Sequence, residues 1–334
     1  MKSFFTILLL SGVTVSATAQ HTKYIQAVDE YVPAPGQFVN TLPEYEEGNT
    51  AFDMAQKCTD ALADNRRGLV TLGAYGGYIT FHFDHPVANV AGQKDFAIWG
   101  NTFYDSSEPA IVMVSVDEDG NGMPDDTWYE LAGSEYNNPA TTHNYMITYK
   151  FESSLKDIAW RDNREQSGSI ARNEYHEQEY FPLWLCEGGD LTFQGTLLPG
   201  NATLMGTTYI LSEYEYGYAD NYPNNVKDGC SMNIEWAVDA EGNSVELDHI
   251  DFVRCYTGVN QYCGPIGETS SEISGAEDLH LEESIAIATA IDTMPQQRAD
   301  VVARYDLSGR QLQGSVKGLQ LIKMSDGRII KQIK

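Results

Sequence analysis

The segment Asp117-Glu118-Asp119-Gly120-Asn121-Gly122-Met123-Pro124-Asp125-Asp126 gathers hard oxygen donors within ten residues. Asp117, Asp119 and Asn121 fall on alternate positions, Gly122 permits a tight turn, and Asp125 stands where a ninth-position ligand would. Ca²⁺ takes about six to eight oxygen ligands, and this spacing curls three side chains inward as in the first half of an EF-hand loop. The twelfth position is Trp128 rather than a bidentate Glu. Either Glu130 or Asp126 completes the shell, or the loop is of the helix-free DxDxNG type. The expectation is a structural Ca²⁺ on Asp117, Asp119, Asn121, Asp125 and Asp126. The plainer reading is an acidic hairpin turn built from ordinary turn residues. Three carboxylates in one turn repel one another without a cation, which favours the ion.

A second cluster runs Tyr214-Glu215-Tyr216-Gly217-Tyr218-Ala219-Asp220-Asn221-Tyr222-Pro223. Aromatic faces beside Asp and Asn are what a sugar or a flat macrocycle needs, stacking plus directional hydrogen bonds. Tyr216, Tyr218, Asp220 and Asn221 are therefore candidate ligand-binding residues, with Trp160 and Trp184 as further stacking faces. Against this, Tyr is common on strands and stabilises cross-strand pairs.

Catalytic signatures are missing. No GxSxG elbow and no HExxH occurs, and His176-Glu177-Gln178-Glu179-Tyr180 lacks the second His. His82 alternates with apolar residues on an expected strand, whereas Asp84-His85-Pro86 reads as a turn, so both His are read as structural. Residues 73–77 (GAYGG) lack the spacing of a phosphate cradle. Paired carboxylates for glycoside hydrolysis are easily found by chance among 48 acidic residues. The reading is a non-catalytic binder, with a hydrolase as the alternative.

These residues must be held by something, and the composition says what kind. The 334 residues are 42% hydrophobic and 11% aromatic, too apolar for a disordered chain. Lys+Arg is 21 against Asp+Glu 48, a net charge of −27 that repels phosphate backbones and anionic lipid. Nucleic acid is thereby excluded as a partner. Short runs rich in β-branched and aromatic residues begin at Leu69 and are punctuated by Gly76-Gly77, Asp84-His85-Pro86 and Asp119-Gly120-Asn121-Gly122. Many short strands with almost no amphipathic helix predict an all-β fold, an antiparallel jelly-roll-like β-sandwich over residues 20–280. One helix is expected over residues 49–62, capped by Asn49 or Thr50. Residues 21–65 otherwise read as an extended segment, and residues 156–178 as a long polar loop.

At the start, Lys2 followed by residues 4–13 (FFTILLLSGV) and Ala17-Thr18-Ala19 has the layout of a cleavable signal peptide, residues 1–19. About ten apolar residues are too few to span a bilayer, so no transmembrane segment is expected and the protein is read as secreted or surface-held. Of the five cysteines, Cys255 and Cys263 are spaced to close a local loop, and the odd count leaves at least one thiol free. Residues 281–300 read as an acidic linker. Residues 301–334 carry a basic bias and alternating strands around Ser308-Gly309, Lys317-Gly318 and Asp326-Gly327, a small separate β-hairpin module.

Residues 76–86 (GGYITFHFDHP), Gly92-Gln93-Lys94-Asp95-Phe96, Glu108-Pro109-Ala110, Trp128-Tyr129-Glu130-Leu131, Ile250-Asp251-Phe252-Val253-Arg254 and Gly267-Glu268-Thr269-Ser270 form a familiar pattern. In these motifs the chain resembles exported β-sandwich cell-surface proteins of Bacteroidota, of the PKD-like group, over about residues 30–280. The resemblance implies neighbourhood with outer-membrane cobalamin-uptake components and so a corrinoid ligand, with an outer-membrane uptake complex as partner. The tail, from Tyr305-Asp306-Leu307-Ser308-Gly309-Arg310 to Ser325-Asp326-Gly327, resembles a shortened type IX secretion sorting domain. Together the expectations are an exported surface protein that captures a small nutrient, corrinoid or glycan, beside a structural Ca²⁺. The alternatives are an extracellular glycan hydrolase and an adhesive surface protein.

Overall fold

The computed structural model describes residues 21–151, 156–293, 301–305, 310–312, 319–324 and 329–333. The expected signal peptide therefore lies outside the described residues. No helix among them is long and apolar enough to cross a membrane. The chain divides into two units, residues 1–288 and 289–334.

The first unit is an antiparallel β-sandwich. Its main sheet has the strand order Ala27–Val32, Tyr78–Ala88, His249–Thr257, Ala110–Ser115, Trp128–Leu131, Ala237–Val238, with Tyr218–Ala219 pairing beside Ala110–Ser115. Strands from both ends of the sequence thus share one sheet. Period-two alternation gives this sheet two faces. Phe81, Val112, Val114, Val253 and Cys255 go to one core, against Met54, Cys58 and Leu62 of the Ala51–Leu62 helix. Ile111 and Tyr256 go to the other core, against Tyr145, Tyr149 and Phe193. Those last residues belong to a four-stranded sheet of order Leu191–Leu197, Thr142–Tyr149, Ile158–Asp162, Ser167–Ile170.

The helix forms where the sequence expects it. Thr50 accepts from the Asp53 N–H while the Asp53 carboxylate accepts from the Thr50 N–H, a reciprocal cap. Its Met54 and Leu62 are fully buried, and burying such a side chain contributes about 1.5–3 kcal/mol.

Four sequence expectations are corrected. Residues 156–178 hold the strands Ile158–Asp162 and Ser167–Ile170, which escaped notice because most of their side chains stay in water and show no apolar alternation. Asp84, His85 and Pro86 do not turn the chain; they lie inside the Tyr78–Ala88 strand. There the ladder to His249–Thr257 passes from Val87↔Ile250 to His82↔Phe252, a bulge that tolerates a proline without an N–H. Within the expected linker, Leu281–Thr293 is a helix with Glu282 and Glu283 in its first turn, where the helix dipole favours acidic groups. All five cysteines are free, Cys255 and Cys263 included. Residues 294–300 of that linker lie outside the described residues. In the second unit, Val301–Tyr305, Gln311–Leu312, Leu319–Met324 and Ile329–Ile333 form a four-stranded antiparallel sheet.

Candidate functional site

Where the far end of the main sheet meets the four-stranded sheet, a cleft of about 630 Å³ opens. Trp128 and Glu130 are alternate residues of one strand and line the cleft, while Leu131 is buried in the opposite core. Met113 lies across from Glu130 in the ladder and lines the cleft beside it. The second wall is His143 and Asn144 from one strand and Gln194, Gly195 and Thr196 from its neighbour. A turn with Asp239 and Gly242 forms the rim, with the Asp239 carboxylate accepting from the Glu241 and Asn243 N–H groups at 3.0 and 2.8 Å.

Gly195 makes the floor possible. A Cβ there would lie 2.7 Å from Tyr256 Oη, so only glycine lets the Tyr256 ring end come this close. Tyr256 Oη then accepts the Thr196 N–H at 2.8 Å. The Thr196 hydroxyl lies 2.6 Å from Glu130 Oε2 and 3.3 Å from His143 Nδ1, and His143 Nε2 donates to the Tyr136 carbonyl at 3.1 Å. Burial pushes the Glu130 carboxyl up to about 7, with the Thr196 hydroxyl opposing. The Thr196 hydroxyl donates to Glu130 Oε2 and so links a strand of the main sheet to the opposite wall of the cleft. Tyr136 lies against His143 at 4.6 Å between ring centroids, and the Arg254 guanidinium covers one face of Trp128 at 4.2 Å. Stacking faces, amides and carboxyls thus converge on one concave surface.

The sequence-predicted ligand residues do not meet here or in any one place. Tyr216 is 37% exposed and packs at a tilt of 44° against Trp236, with Lys94 Nζ 4.0 Å from the Trp236 ring centroid. Tyr218 is buried and its Oη accepts the Glu135 N–H at 2.9 Å. Asn221 is fully buried, accepting from Ser107 Oγ and the Tyr214 N–H. Asp220 and Glu272 are buried beside the half-buried Glu108, one carboxylate oxygen of each lying within 4.8 Å of the others. Trp160 borders a smaller cavity of about 140 Å³ with Tyr262, Gln261 and Glu268. Trp184 stacks on Tyr31 and Tyr45 at 5.5 and 6.0 Å. In the sequence Glu130 stands out only as a spare cation ligand and as part of the Trp128-Tyr129-Glu130-Leu131 motif, and His143, Tyr136 and Thr196 not at all. The one signal for the cleft was the Trp128, Glu130 alternation.

In the acidic loop, Gly120 and Gly122 take φ of +67° and +72°, wrapping the chain around the carboxylates. Asn121 N–H donates to both Asp117 Oδ1 and Asp119 Oδ1 at 3.0 Å, and Gly122 N–H to Asp117 Oδ2 at 2.9 Å. Oxygens of Asp117, Asp119 and Asp126 lie within 4.8 Å of one another. Asp125 instead accepts from the Asn121 amide at 3.1 Å. Backbone N–H groups of the loop itself thus hold these carboxylates, with Glu118 N–H donating to Asp126 Oδ2 at 2.9 Å.

No family model matches the chain, and no curated protein matches it.

Proposed function

We propose that this is an exported surface protein that captures a small polyhydroxylated nutrient, a glycan, in the cleft between its two sheets. The observation that carries the reading is the lining of that cleft: Trp128 and Tyr136 as stacking faces beside Asn137, Asn144 and Gln194 as hydrogen-bonding amides. Aromatic planes with directional polar groups suit a ring that is apolar on its faces and hydroxylated at its edge. The sequence resemblance adds a corrinoid as the other ligand class. Export rests on the leader-like first 19 residues and surface retention on the tail, while a Ca²⁺ on Asp117, Asp119 and Asp126 fixes the loop before Trp128.

A hydrolase reading is favoured by one observation, the raised Glu130 carboxyl in the same cleft, a suitable general acid. A glycan array followed by calorimetry, with cobalamin in parallel, separates the readings. Glycan binding without turnover supports capture. Tight cobalamin binding transfers the reading to a corrinoid carrier, and hydrolysis of a bound glycan that Glu130→Gln abolishes replaces capture with catalysis.

A further inference from the structure

The bulge in the Tyr78–Ala88 strand builds a different constellation, with nitrogen donors as well as oxygen. His85 is fully buried in side chain, and its Nδ1 lies 2.5 Å from Asp84 Oδ1. His21 brings a second ring nitrogen, Nδ1, to 3.3 Å from the same oxygen. The two rings meet edge to face at 84°, centroids 5.7 Å apart. All three donor atoms lie within 4.8 Å of one another.

What surrounds these atoms fixes their direction. Thr22 N–H donates to Asp84 Oδ2 at 3.1 Å, which turns Oδ1 toward the two rings. His85 Nε2 lies 2.9 Å from Oδ2 of Asp278, a carboxylate with no side-chain exposure. Asp278 Oδ1 already accepts the His280 N–H at 2.8 Å, so Asp278 acts as an acceptor and His85 Nε2 carries the donated proton. That leaves His85 Nδ1 as the nitrogen facing Asp84. A carboxylate holding the far N–H of an imidazole is the usual support for a metal-binding His, since it sets the tautomer and raises ligand basicity. Asp84 and His85 also line a pocket of about 240 Å³ shared with Asp117 and Asp251, and the Asp84 side chain is 23% exposed.

We propose that His21 Nδ1, Asp84 Oδ1 and His85 Nδ1 bind a borderline first-row divalent cation such as Zn²⁺, with Asp278 as a positioning residue. Two imidazoles and one carboxylate are a donor set such ions take, and three protein ligands leave a fourth position for water. The ion takes the place of the proton that joins His85 to Asp84, and that proton leaves to solvent. Hard Ca²⁺, which prefers oxygen throughout, is not the ion for this site.

The test is calorimetric titration of the metal-stripped protein with ZnCl₂ in excess Ca²⁺, and Co²⁺ binding followed by its visible ligand-field absorption. One Zn²⁺ is expected per chain. His21→Ala and Asp84→Asn, both partly exposed positions, should each weaken it at least tenfold and remove the four-coordinate Co²⁺ band. Asp278→Asn should weaken binding by about 10- to 100-fold. Asp119→Ala, in the neighbouring acidic loop, should leave Zn²⁺ binding unchanged. Absence of Zn²⁺ binding to the wild type, or equal binding by His21→Ala and Asp84→Asn variants whose melting temperatures match wild type, overturns the proposal.

Discussion

Asp220 Oδ2 accepts the backbone N–H of Glu272 at 2.8 Å, joining two fully enclosed carboxyl groups that stand beside a third, Glu108. Asp220 is otherwise well supplied: Oδ1 takes the N–H groups of Asn101 and Thr102 at 2.8 and 3.0 Å and the Thr102 hydroxyl at 2.7 Å. An oxygen pair with that many donors suits the charged form, so the proton of the cluster belongs on its glutamates. Burial first, and then the charge of Asp220, push Glu272 up to about 8.

From this follows a pH dependence of stability. The folded-state pKa of Glu272 lies above its ordinary value of 4.5, so its contribution is whole below that value and is lost as pH rises through about 8. Thermal melts between pH 5 and 8 should show stability falling with rising pH, with Glu272 and the similarly raised Glu130 each adding at most about 1.4 kcal/mol per pH unit. Glu272→Gln should flatten the fall. A curve as steep in the variant as in the wild type would place the proton elsewhere.

For the acidic loop, Ca²⁺ should raise the melting temperature, and Asp119→Ala should remove the response. At a concentration one hundred times its dissociation constant the ion adds about 2.7 kcal/mol. Differential scanning calorimetry with Ca²⁺ and with chelator reads this directly, and equal melts under both conditions would leave the loop an ordinary turn.

In the cleft, Trp128→Ala and Tyr136→Ala should each weaken glycan binding by roughly tenfold, ~1.4 kcal/mol, by calorimetry. Tyr216→Ala should leave binding unchanged, because Tyr216 packs against Trp236 outside the cleft. Since Arg254 packs on Trp128, the Tyr136 variant separates loss of a ligand contact from loss of packing.

Gly195→Ala should destabilise by about 1–3 kcal/mol, the cost of forcing a methyl against the buried Tyr256 ring. Chemical denaturation measures it. Tyr256→Leu in the same background should recover part of the loss, and no recovery would show that the Tyr256 ring is not what the added methyl meets.

Legibility divided along a physical line. Features written into a few adjacent residues could be read: the Thr50 and Asp53 cap, the alternating runs of the main sheet, the turn glycines of the acidic loop. An antiparallel sandwich drawing strands from both halves of the chain was legible too. The cleft was not, because Glu130, His143, Thr196 and Tyr256 are brought together only by one sheet packing on another. Tyr218 and Asn221 misled for the converse reason: an aromatic beside an amide looks the same in sequence whether its polar groups meet a ligand or the protein's own backbone. Asp84-His85-Pro86 reads as a turn in sequence because Asp and Pro are ordinary turn residues, and a bulge inside a strand carries no sign of its own.

The order of strands in the main sheet also governs when the protein can fold. His249–Thr257 lies between Tyr78–Ala88 and Ala110–Ser115, so the centre of the sheet is supplied by the last of its strands to be synthesised. A growing chain that has reached residue 240 owns both flanking strands and nothing to join them. Closing that gap brings together segments more than 130 residues apart, as in Cys255 opposite Val112 and Ile79, and loops of that length make assembly slow. The sandwich is therefore completed only after residue 257 is available, and a nascent chain short of that point leaves the facing edges of Tyr78–Ala88 and Ala110–Ser115 unpaired.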